Sequence, residues 1–463
     1  MKKIKVGYLP LYIKLYDDNN QDRTPLTDHM EKLVRLLEEK GLEVVRTKDL
    51  CRVKEEFDAA AELFNREKVD AVITQHLAYS PSLESIEALL SLEAPIVVFD
   101  TTPDYQLLAV QENYNGIDNN HGIHGVQDMT CMLQKNHRPY YLCAGHAFHS
   151  DVVDRVVNYC YAAAASKFFR NAKIGSVGGS FVGMGDFLIS DERYKSDIGA
   201  EVSYMTPDVT AKYLAQVTDA EIDAEIAEDA KNYRVTVKNE ENYRAATKSG
   251  LAVRKWMEAE GLNCATVNFL TLDSCGLPKM PFAECCKILA RGQGYAGEGD
   301  VLTAGLVGAL ASVYPETTFT EMFCPDWEKN VILLSHMGES NPKLTAWAPL
   351  VNDMRFTYNS CGDTVGMYGC YKAGKVVYAN LAPMDGHFHL ILTEGEMLDA
   401  GLKDGAYRSN TQGWFKPCKP LDEFLEDYSM AGGTHHSAMV YGADIRALKA
   451  FGTMLGFEVI EIR

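Results

Sequence analysis

A chain of 463 residues exceeds the size at which one hydrophobic core stops growing, about 250 to 300 residues, so two or three domains are expected. Hydrophobic residues make up 46% of the chain and charged residues 24%, which excludes a disordered or fibrous protein. The formal net charge of −19 argues against a nucleic-acid partner, because binding to the phosphate backbone requires Lys and Arg to displace counterions.

The start of the chain, MKKIKVGYLPLY, has neither the apolar run nor the cleavage site of a secretory signal. No stretch reaches the roughly 20 apolar residues of a membrane span, so no membrane partner is expected. We therefore expect a cytoplasmic protein whose 12 cysteines are mainly thiols.

The first 170 residues alternate short apolar runs with helical periodicity. Strands are predicted at 4–9, 42–46, 71–75, 96–99 and 140–144, and helices at 28–40, 53–66, from Ser80-Pro81 onward and at 151–169. Apolar strands separated by helices predict a parallel sheet covered on both faces, with functional loops at the carboxyl ends of the strands. Residues 1–170 are thus predicted to form a doubly wound α/β domain.

Residues 171–317 continue the α/β pattern. The predicted elements are strands at 173–177 and 265–270 and helices at 210–231, 240–260 and 281–293. The glycine-rich run GSVGGSFVGMGDF, residues 175–187, lacks the lysine of a phosphate loop and the GxGxxG spacing. It is more typical of a loop that allows close approach of backbone or ligand. A second doubly wound α/β domain is predicted here.

The pattern changes after Thr317, where short strands separated by turns are predicted at 331–334, 355–359, 364–371, 375–380 and 387–392. A helix at 444–455 and a strand at 458–462 follow. Residues 318–463 are therefore predicted to form an antiparallel, β-barrel-like domain with a terminal helix. The predicted fold class is two doubly wound α/β domains followed by this barrel.

Four short segments concentrate acids and histidines: GYAGEGD at 294–300, TFTEMF at 318–323, LLSHMGESNP at 333–342 and GGTHHSAMVYG at 432–442. Two carboxylates and two imidazoles can be drawn from them, a ligand set that suits a divalent ion such as Mn²⁺. Each segment alone is weak evidence for a metal site. A Glu in a turn before a helix, for example, is commonly there because the helix dipole stabilises its negative charge.

These segments resemble the L-arabinose isomerase and L-fucose isomerase superfamily. The stretch LPKMPFAECCKILARGQGYAGEGDVLTAGL, residues 277–306, is similar to the part of L-arabinose isomerase that leads into its GEGD motif, and the later Glu, His and His-His follow in the same order. The resemblance implies that the metal ligands are Glu298, Glu321, His336 and His436, with His435 as the adjacent alternative. If the His-His stretch is extended, only one of the pair should reach the ion.

An aldose–ketose isomerase moves a proton between C1 and C2 through an enediolate, whose charge a divalent cation such as Mn²⁺ stabilises. Glu298 and Glu321 are the candidates for the proton transfer. The resemblance further implies a monosaccharide substrate and a trimer-based homohexamer with active sites at subunit boundaries.

The segment Asn119 to Asp128 resembles a family loop that lends a histidine to a neighbouring subunit's active site. His124 matches that histidine best, and His121 is a second candidate for a sugar contact. These polar groups are explained equally well as caps of a helix that begins near Val126. His387 and His389 would share one face of a strand and are interpreted as barrel residues.

Positions near the substrate in the family differ in this chain. Val301 and Leu302 replace a Trp and a Lys after GEGD, and Ala78-Tyr79 replaces a segment with Phe before Ser-Pro. The metal chemistry is therefore supported, but L-arabinose as the substrate is not. Two alternatives remain open at this point: a glycosidase that uses Glu298 and Glu321, and a non-catalytic sugar-binding protein.

Overall fold

The computed structural model describes residues 3–107, 116–400 and 411–463, and the chain divides into two compact units, Met1–Ala164 and Ala165–Arg463. Among the described helices, none is long and apolar enough to cross a membrane. The domain boundaries at residues 170 and 317 stay predictions.

The first unit is built on a parallel five-stranded sheet. Its elements are β1 (Ile4–Leu11), α1 (Lys14–Asp18), α2 (Thr24–Glu39), β2 (Leu42–Arg46), α3 (Lys54–Arg66), β3 (Ala71–His76), α4 (Ser82–Ser91), β4 (Ile96–Asp100), α5 (Gly116–Asn120), α6 (Ile123–Lys135), β5 (Tyr140–Ala144) and α7 (Val152–Arg170), the last crossing the unit boundary. The strand order is β2-β1-β3-β4-β5 with every pair parallel. This confirms the predicted parallel α/β architecture.

Burial explains why these runs form strands. Every residue of β3 is buried, and the side chains of α3, α4 and α6 pack with the sheet in one apolar core. Two predicted helix starts were wrong. Helix α2 begins at Thr24, because Pro25 favours the first helical turn, and α4 begins at Ser82 with Pro81 as its N-cap residue.

The second unit begins with another parallel sheet. Its elements up to residue 311 are β6 (Lys173–Val177), α8 (Asp191–Arg193) with a π-helical turn (Tyr194–Ile198), β7 (Glu201–Tyr204), α9 (Pro207–Leu214), α10 (Asp219–Asn232), β8 (Arg234–Val235), α11 (Glu240–Glu260), β9 (Cys264–Val267), α12 (Leu272–Cys275), α13 (Phe282–Ala290), β10 (Gly294–Gly297) and α14 (Val301–Ala311). The sheet order is β10-β9-β6-β7, with every pair parallel. Helix α14 is apolar on all sides and entirely buried.

The remaining elements are mainly antiparallel strands. They are β11 (Thr317–Asp326), β12 (Val331–Ser335), a 3-10 turn (Pro342–Leu344), β13 (Leu350–Met354), β14 (Thr364–Tyr368), β15 (Gly374–Pro383), β16 (Phe388–Leu398), β17 (Gln412–Pro417), α15 (Leu421–Met430), β18 (His436–Tyr441), α16 (Ile445–Leu455) and β19 (Glu458–Ile462). Six of them form the ring β15-β18-β11-β12-β17-β16, which closes because β16 also pairs with β15. The predicted barrel is therefore confirmed.

Two features lie outside the closed ring. Strand β19 pairs in parallel with β16, and β13 and β14 form a small sheet with β8. The strand predicted at 355–359 was wrong: these residues follow β13 as a loop. Side chains hold this loop, since Asp363 accepts a hydrogen bond from the Phe356 amide and Asn359 donates one to the Phe269 carbonyl.

Candidate metal centre

Glu298 lies in the loop between β10 and α14. Its backbone has a φ of 62°, which is unusual for a residue other than glycine. The Glu298 amide donates to the Val267 carbonyl at 2.9 Å, and the Glu298 carbonyl accepts from the Phe181 amide at 3.2 Å. Both sides of the peptide are thus held, which stabilises a strained conformation of the kind found at functional sites.

The glycine after Glu298 is required by close packing. Gly299 has a φ of 81°, and a Cβ at this position would lie 2.2 Å from the Gly179 carbonyl oxygen. The GEGD loop and the glycine-rich segment therefore lie backbone against backbone, as the run 175–187 predicts. The same segment contributes Phe187, whose ring stacks on His436 with centroids 4.9 Å apart.

Asp300 is fully buried and connects the loop to the barrel. One carboxylate oxygen caps α14 by accepting from the Thr303 amide at 2.8 Å. The other lies 3.0 Å from His436 Nδ1. Because a carboxylate only accepts, this contact places the proton of the neutral imidazole on Nδ1 and leaves the Nε2 lone pair free.

The barrel register brings the other predicted ligands to the same place. Glu321 on β11 lies directly opposite His436 on β18 and, on its other side, opposite Ser335 on β12. Side chains of directly opposed residues are neighbours in an antiparallel pair. His336 lies just beyond the end of β12, where the alternation of the strand no longer applies, and its Nε2 is 3.9 Å from Glu321 Oε2.

The resulting cluster is compact. Glu298 Oε2 lies 3.4 Å from His436 Nε2, and Glu321 Oε2 lies 3.9 Å from His336 Nε2. Potential ligand atoms of Glu298, His435 and His436 lie within 4.8 Å of one another, and the same is true of Glu321, His336 and His436. His436 belongs to both groups. The structure thus brings together all four residues predicted as ligands, and their metal-binding and catalytic roles stay predictions.

Both residues of the His-His pair lie near Glu298, and which of them would reach an ion stays a prediction. His435 Nε2 lies 3.7 Å from Glu298 Oε2, close to the 3.4 Å of His436. The reason is that β18 begins at His436, so the alternation of a strand does not apply to His435. The two residues differ in exposure: the His435 side chain is 33% exposed and that of His436 is fully buried.

Three carboxylates behind the histidines were missed by the sequence analysis. Asp300 contacts His436, Glu339 Oε2 lies 2.5 Å from His336 Nδ1, and Asp186 Oδ2 lies 2.6 Å from His435 Nδ1. Asp300 and Glu339 belong to the GEGD and SHMGE segments, so the signal was present in the quoted motifs. Asp186 is the next-to-last residue of the glycine-rich run, where nothing in the sequence indicates its partner.

These contacts set opposite electrostatic environments for the two glutamates. Burial opposes ionisation of Glu298, but the rings of His435 and His436 outweigh it and hold the pKa of this carboxyl well below its usual range. Burial raises the pKa of Glu321, which the nearby histidines only partly offset. The centre therefore contains one carboxylate held ionised and one that takes up a proton more easily.

The two adjacent histidines are held in their charged form when no metal is bound. Burial opposes this, but Asp186 and Glu298 raise the pKa of His435 to about 10. In the same way Asp300 and Glu298 outweigh burial and raise the pKa of His436 to about 9. The cluster therefore stabilises positive charge.

The residues present fit a divalent metal. His436 Nε2 is buried and makes no hydrogen bond to any described residue, while Nδ1 of the same ring is committed to Asp300. A buried nitrogen in this state, with carboxylate oxygens nearby, is the donor arrangement of a metal-binding imidazole. Two imidazoles with two carboxylates suit Mn²⁺ and related ions.

The two histidines predicted as sugar contacts lie in the first unit. His121 Nε2 lies 2.7 Å from the Tyr16 hydroxyl, and the rings of His121 and His124 are 5.7 Å apart. The alternative reading, in which polar groups of this segment cap a helix near Val126, was wrong: α6 begins at Ile123 after Gly122 and has no side-chain cap. The role of the two histidines in sugar binding stays a prediction.

Comparison with known proteins identifies the family. Residues 192–314 match the L-arabinose isomerase central domain, and residues 316–458 match the L-arabinose isomerase C-terminal domain. The L-arabinose isomerases of Aeromonas salmonicida and Aeromonas hydrophila are each 25% identical to this chain, and each alignment covers 100% of the chain and 95% of the relative. That of Bacillus subtilis is 23% identical, over 84% of this chain and 80% of the relative.

A solved periplasmic solute-binding protein from Actinobacillus succinogenes, with bound D-allose, matches this chain with 12% identity and a TM-score of 0.19. The match covers 67% of this chain and 92% of that one. This TM-score is too low to indicate a common fold. The two matched domains together contain Glu298, Glu321, His336 and His436. The chain therefore belongs to the L-arabinose isomerase superfamily.

Proposed function

We propose that this protein is a metal-dependent aldose–ketose isomerase that moves a proton between C1 and C2 of a free sugar. The observation that carries the proposal is the buried, unbonded His436 Nε2, which faces the carboxylate of Glu298 in a cluster that also contains Glu321 and His336. The names of the relatives, L-arabinose isomerase, support the reaction class. They do not favour a glycosidase or a non-catalytic binding protein.

Glu298, Glu321, His336 and His436 would hold the metal, for which Mn²⁺ is our first choice. When bound, a divalent cation supplies electrostatic stabilisation of the negative charge that develops on O1 and O2 of the sugar. The protein prepares this site in advance. Asp300 and Glu339 each face the Nδ1 atom of a histidine, so that Nε2 of His436 and of His336 is directed toward the carboxylates.

The proton transfer is assigned to the two glutamates, with Glu321 the better placed for it. The ion-pair partner of Glu321, His336 Nε2, is 3.9 Å away, and the Glu321 side chain remains 23% exposed, so a sugar can approach it. Glu298 is more buried and lies between two histidines. In this scheme Glu321 takes the proton from one sugar carbon and returns it to the other.

The substrate class is a free pentose, hexose or deoxysugar. Val301 and Leu302 stand where the family resemblance places a Trp and a Lys, and both side chains are buried in the first turn of α14. They therefore offer a sugar neither a ring to stack on nor a charge. This difference supports a substrate other than L-arabinose. A trimer-based homohexamer, a contribution of His121 and His124 from a neighbouring subunit and a cytoplasmic location also stay proposals.

The test is to incubate aldoses with Mn²⁺-loaded protein and to measure ketose formation for the wild type, Glu321→Gln and Asp326→Asn. Asp326 lies on the same strand as Glu321 but at its far end, so its variant is a matched loss of one negative charge. We expect ketose from at least one sugar with the wild type and Asp326→Asn, and turnover about 10²- to 10⁴-fold lower with Glu321→Gln. No turnover of any pentose, hexose or deoxysugar by the wild type would overturn the proposal.

A further inference from the structure

Two histidines and a glutamate meet at the end of the barrel where β15 turns into β16. His387 lies in that turn, His389 is the second residue of β16, and Glu458 is the first residue of β19. His389 and Glu458 are directly paired in the parallel β16–β19 register. We propose that His387, His389 and Glu458 form a second metal site, which binds a transition-metal ion of the Zn²⁺ type.

The distances suit a single ion held by three ligands. The two Nε2 atoms of His387 and His389 are 3.0 Å apart. Glu458 Oε2 lies 3.4 Å from His389 Nε2 and 3.7 Å from His387 Nε2. Ligand atoms about 2.0 to 2.1 Å from a tetrahedral Zn²⁺ are separated from each other by about 3.4 Å. The three contacts bracket that value, so small movements would bring all three atoms onto one ion.

The hydrogen bonds of the two rings provide an independent reason to expect a cation. His387 Nδ1 lies 3.0 Å from the Asp385 carbonyl oxygen, and His389 Nδ1 lies 2.7 Å from the Ala431 carbonyl oxygen. A carbonyl only accepts, so both Nδ1 atoms carry protons. In the neutral rings both Nε2 atoms therefore present lone pairs to each other at 3.0 Å, which is repulsive unless a cation lies between them.

Backbone carbonyls in contact with Nδ1 are also the usual outer partners of a metal-binding histidine, since they fix the ring orientation and the tautomer. The side chains of His387, His389 and Glu458 are 46%, 17% and 60% exposed, so an ion can reach them. The nearby guanidinium of Arg193 stacks over the ring of Phe388 and donates to the backbone carbonyls of Met384 and His387, so its charge is engaged by these groups and not by the two Nε2 atoms.

The position of the site indicates what it does. Strand β19 is not part of the closed ring and is joined to it by pairing with β16. An ion shared by His387, His389 and Glu458 would fasten the first residue of β19 to both the β15–β16 turn and β16. The site would thus stabilise the attachment of the C-terminal strand, a structural role separate from the centre at Glu298.

The experiment counts bound zinc. Chelator-treated full-length protein is equilibrated with Zn²⁺, freed of unbound ion and analysed for metal content, for the wild type, His387→Gln, Glu458→Gln and Glu394→Gln. Glu394, an exposed residue of β16 outside the cluster, provides the matched control. His387 and Glu458 are half-exposed, so their variants should fold. Because the centre at Glu298 is intact in all four proteins, differences in metal content report on the second site.

We expect His387→Gln and Glu458→Gln to retain one zinc ion per chain fewer than the wild type and Glu394→Gln. Zn²⁺ should raise the unfolding temperature of these two variants less than that of the wild type. With Co²⁺ as the probe, the visible absorption of a tetrahedral site should be weaker in both variants. Equal metal content and equal Co²⁺ spectra in all four proteins would overturn the proposal and indicate a pair of histidines that share a proton.

Discussion

Replacing Asp300 with Asn tests how the protein prepares His436 for metal binding. The carboxylate accepts from the Thr303 amide with one oxygen and from His436 Nδ1 with the other, at 2.8 and 3.0 Å. Asn caps a helix as well as Asp does. If its oxygen keeps the cap, its NH₂ group faces Nδ1, and the proton of the imidazole must move to Nε2, where it blocks the metal. If the amide is reversed, the NH₂ group faces the Thr303 amide and the cap is lost.

Asp300→Asn should weaken metal binding about as much as losing the carboxylate behind a metal-binding histidine does, about 10- to 100-fold in affinity. This corresponds to about 1.4 to 2.8 kcal/mol of binding free energy. The complete burial of Asp300 argues for the upper part of the range, because water cannot replace the lost contact. The effect should appear in metal affinity rather than in the fold.

Isothermal titration of metal-free protein with Mn²⁺ measures this directly. Asp444→Asn is the matched control, since Asp444 caps α16 in the same way but lies in neither metal cluster. We expect wild-type affinity for Asp444→Asn and affinity at least about tenfold weaker for Asp300→Asn. Equal affinities of Asp300→Asn and the wild type would refute the role assigned to Asp300.

Three further predictions concern the stability and the ligands. Burial lowers the pKa of His76 to about 3, so near pH 5 the unfolded chain binds a proton that the folded chain does not. The contribution of His76 to the free energy of unfolding should therefore fall by about 2 kcal/mol from pH 8 to pH 5, measured with urea as the difference between the wild type and His76→Gln at each pH. Gly299→Ala should cost more stability than Gly261→Ala, because both have positive φ but only at Gly299 would a Cβ meet a backbone oxygen at 2.2 Å. His436→Gln should abolish Mn²⁺ binding in a titration, whereas His435→Gln should weaken it less, because His435 is a third exposed.

Each of these three predictions would be contradicted by a specific result. An unchanged pH dependence in His76→Gln would show that this residue is not the group that titrates. Equal losses of stability in Gly299→Ala and Gly261→Ala would show that the positive φ accounts for the whole loss and that the close backbone contact at Gly299 adds nothing. If His435→Gln loses Mn²⁺ binding while His436→Gln keeps it, the two histidines must exchange roles.

The sheets were predictable where apolar runs are continuous and bounded by turns, as at β3 and β4. The periodicity of such runs indicates buried parallel strands without reference to distant residues. It does not predict which strands close the barrel. That depends on pairs such as β15 with β18 and β11 with β18, which join residues far apart in the chain. The mistaken strand at 355–359 shows the limit, because the Asn359 side chain donates to the distant Phe269 carbonyl and helps to hold this segment as a loop.

The candidate ligands were predictable from the order of their motifs along the chain. That they lie close together depends on the register in which the barrel strands pair. Glu321 and His436 are 115 positions apart and become direct neighbours through the β11–β18 pairing. The outer carboxylates were harder to predict, since Asp186 contacts His435 across 249 positions. The left-handed backbone of Glu298 was also hidden, because residues other than glycine rarely adopt it.

Metal-dependent isomerisation is tested by measuring ketose formation with and without a bound metal ion. Chelator-treated wild-type protein, with and without added Mn²⁺, is incubated with pentoses, hexoses and deoxysugars, and the products are followed by NMR. We expect ketose from at least one sugar when Mn²⁺ is present and none in the chelated protein. Ketose formed at the same rate after complete metal removal, or no ketose from any sugar with Mn²⁺ bound, would contradict this expectation.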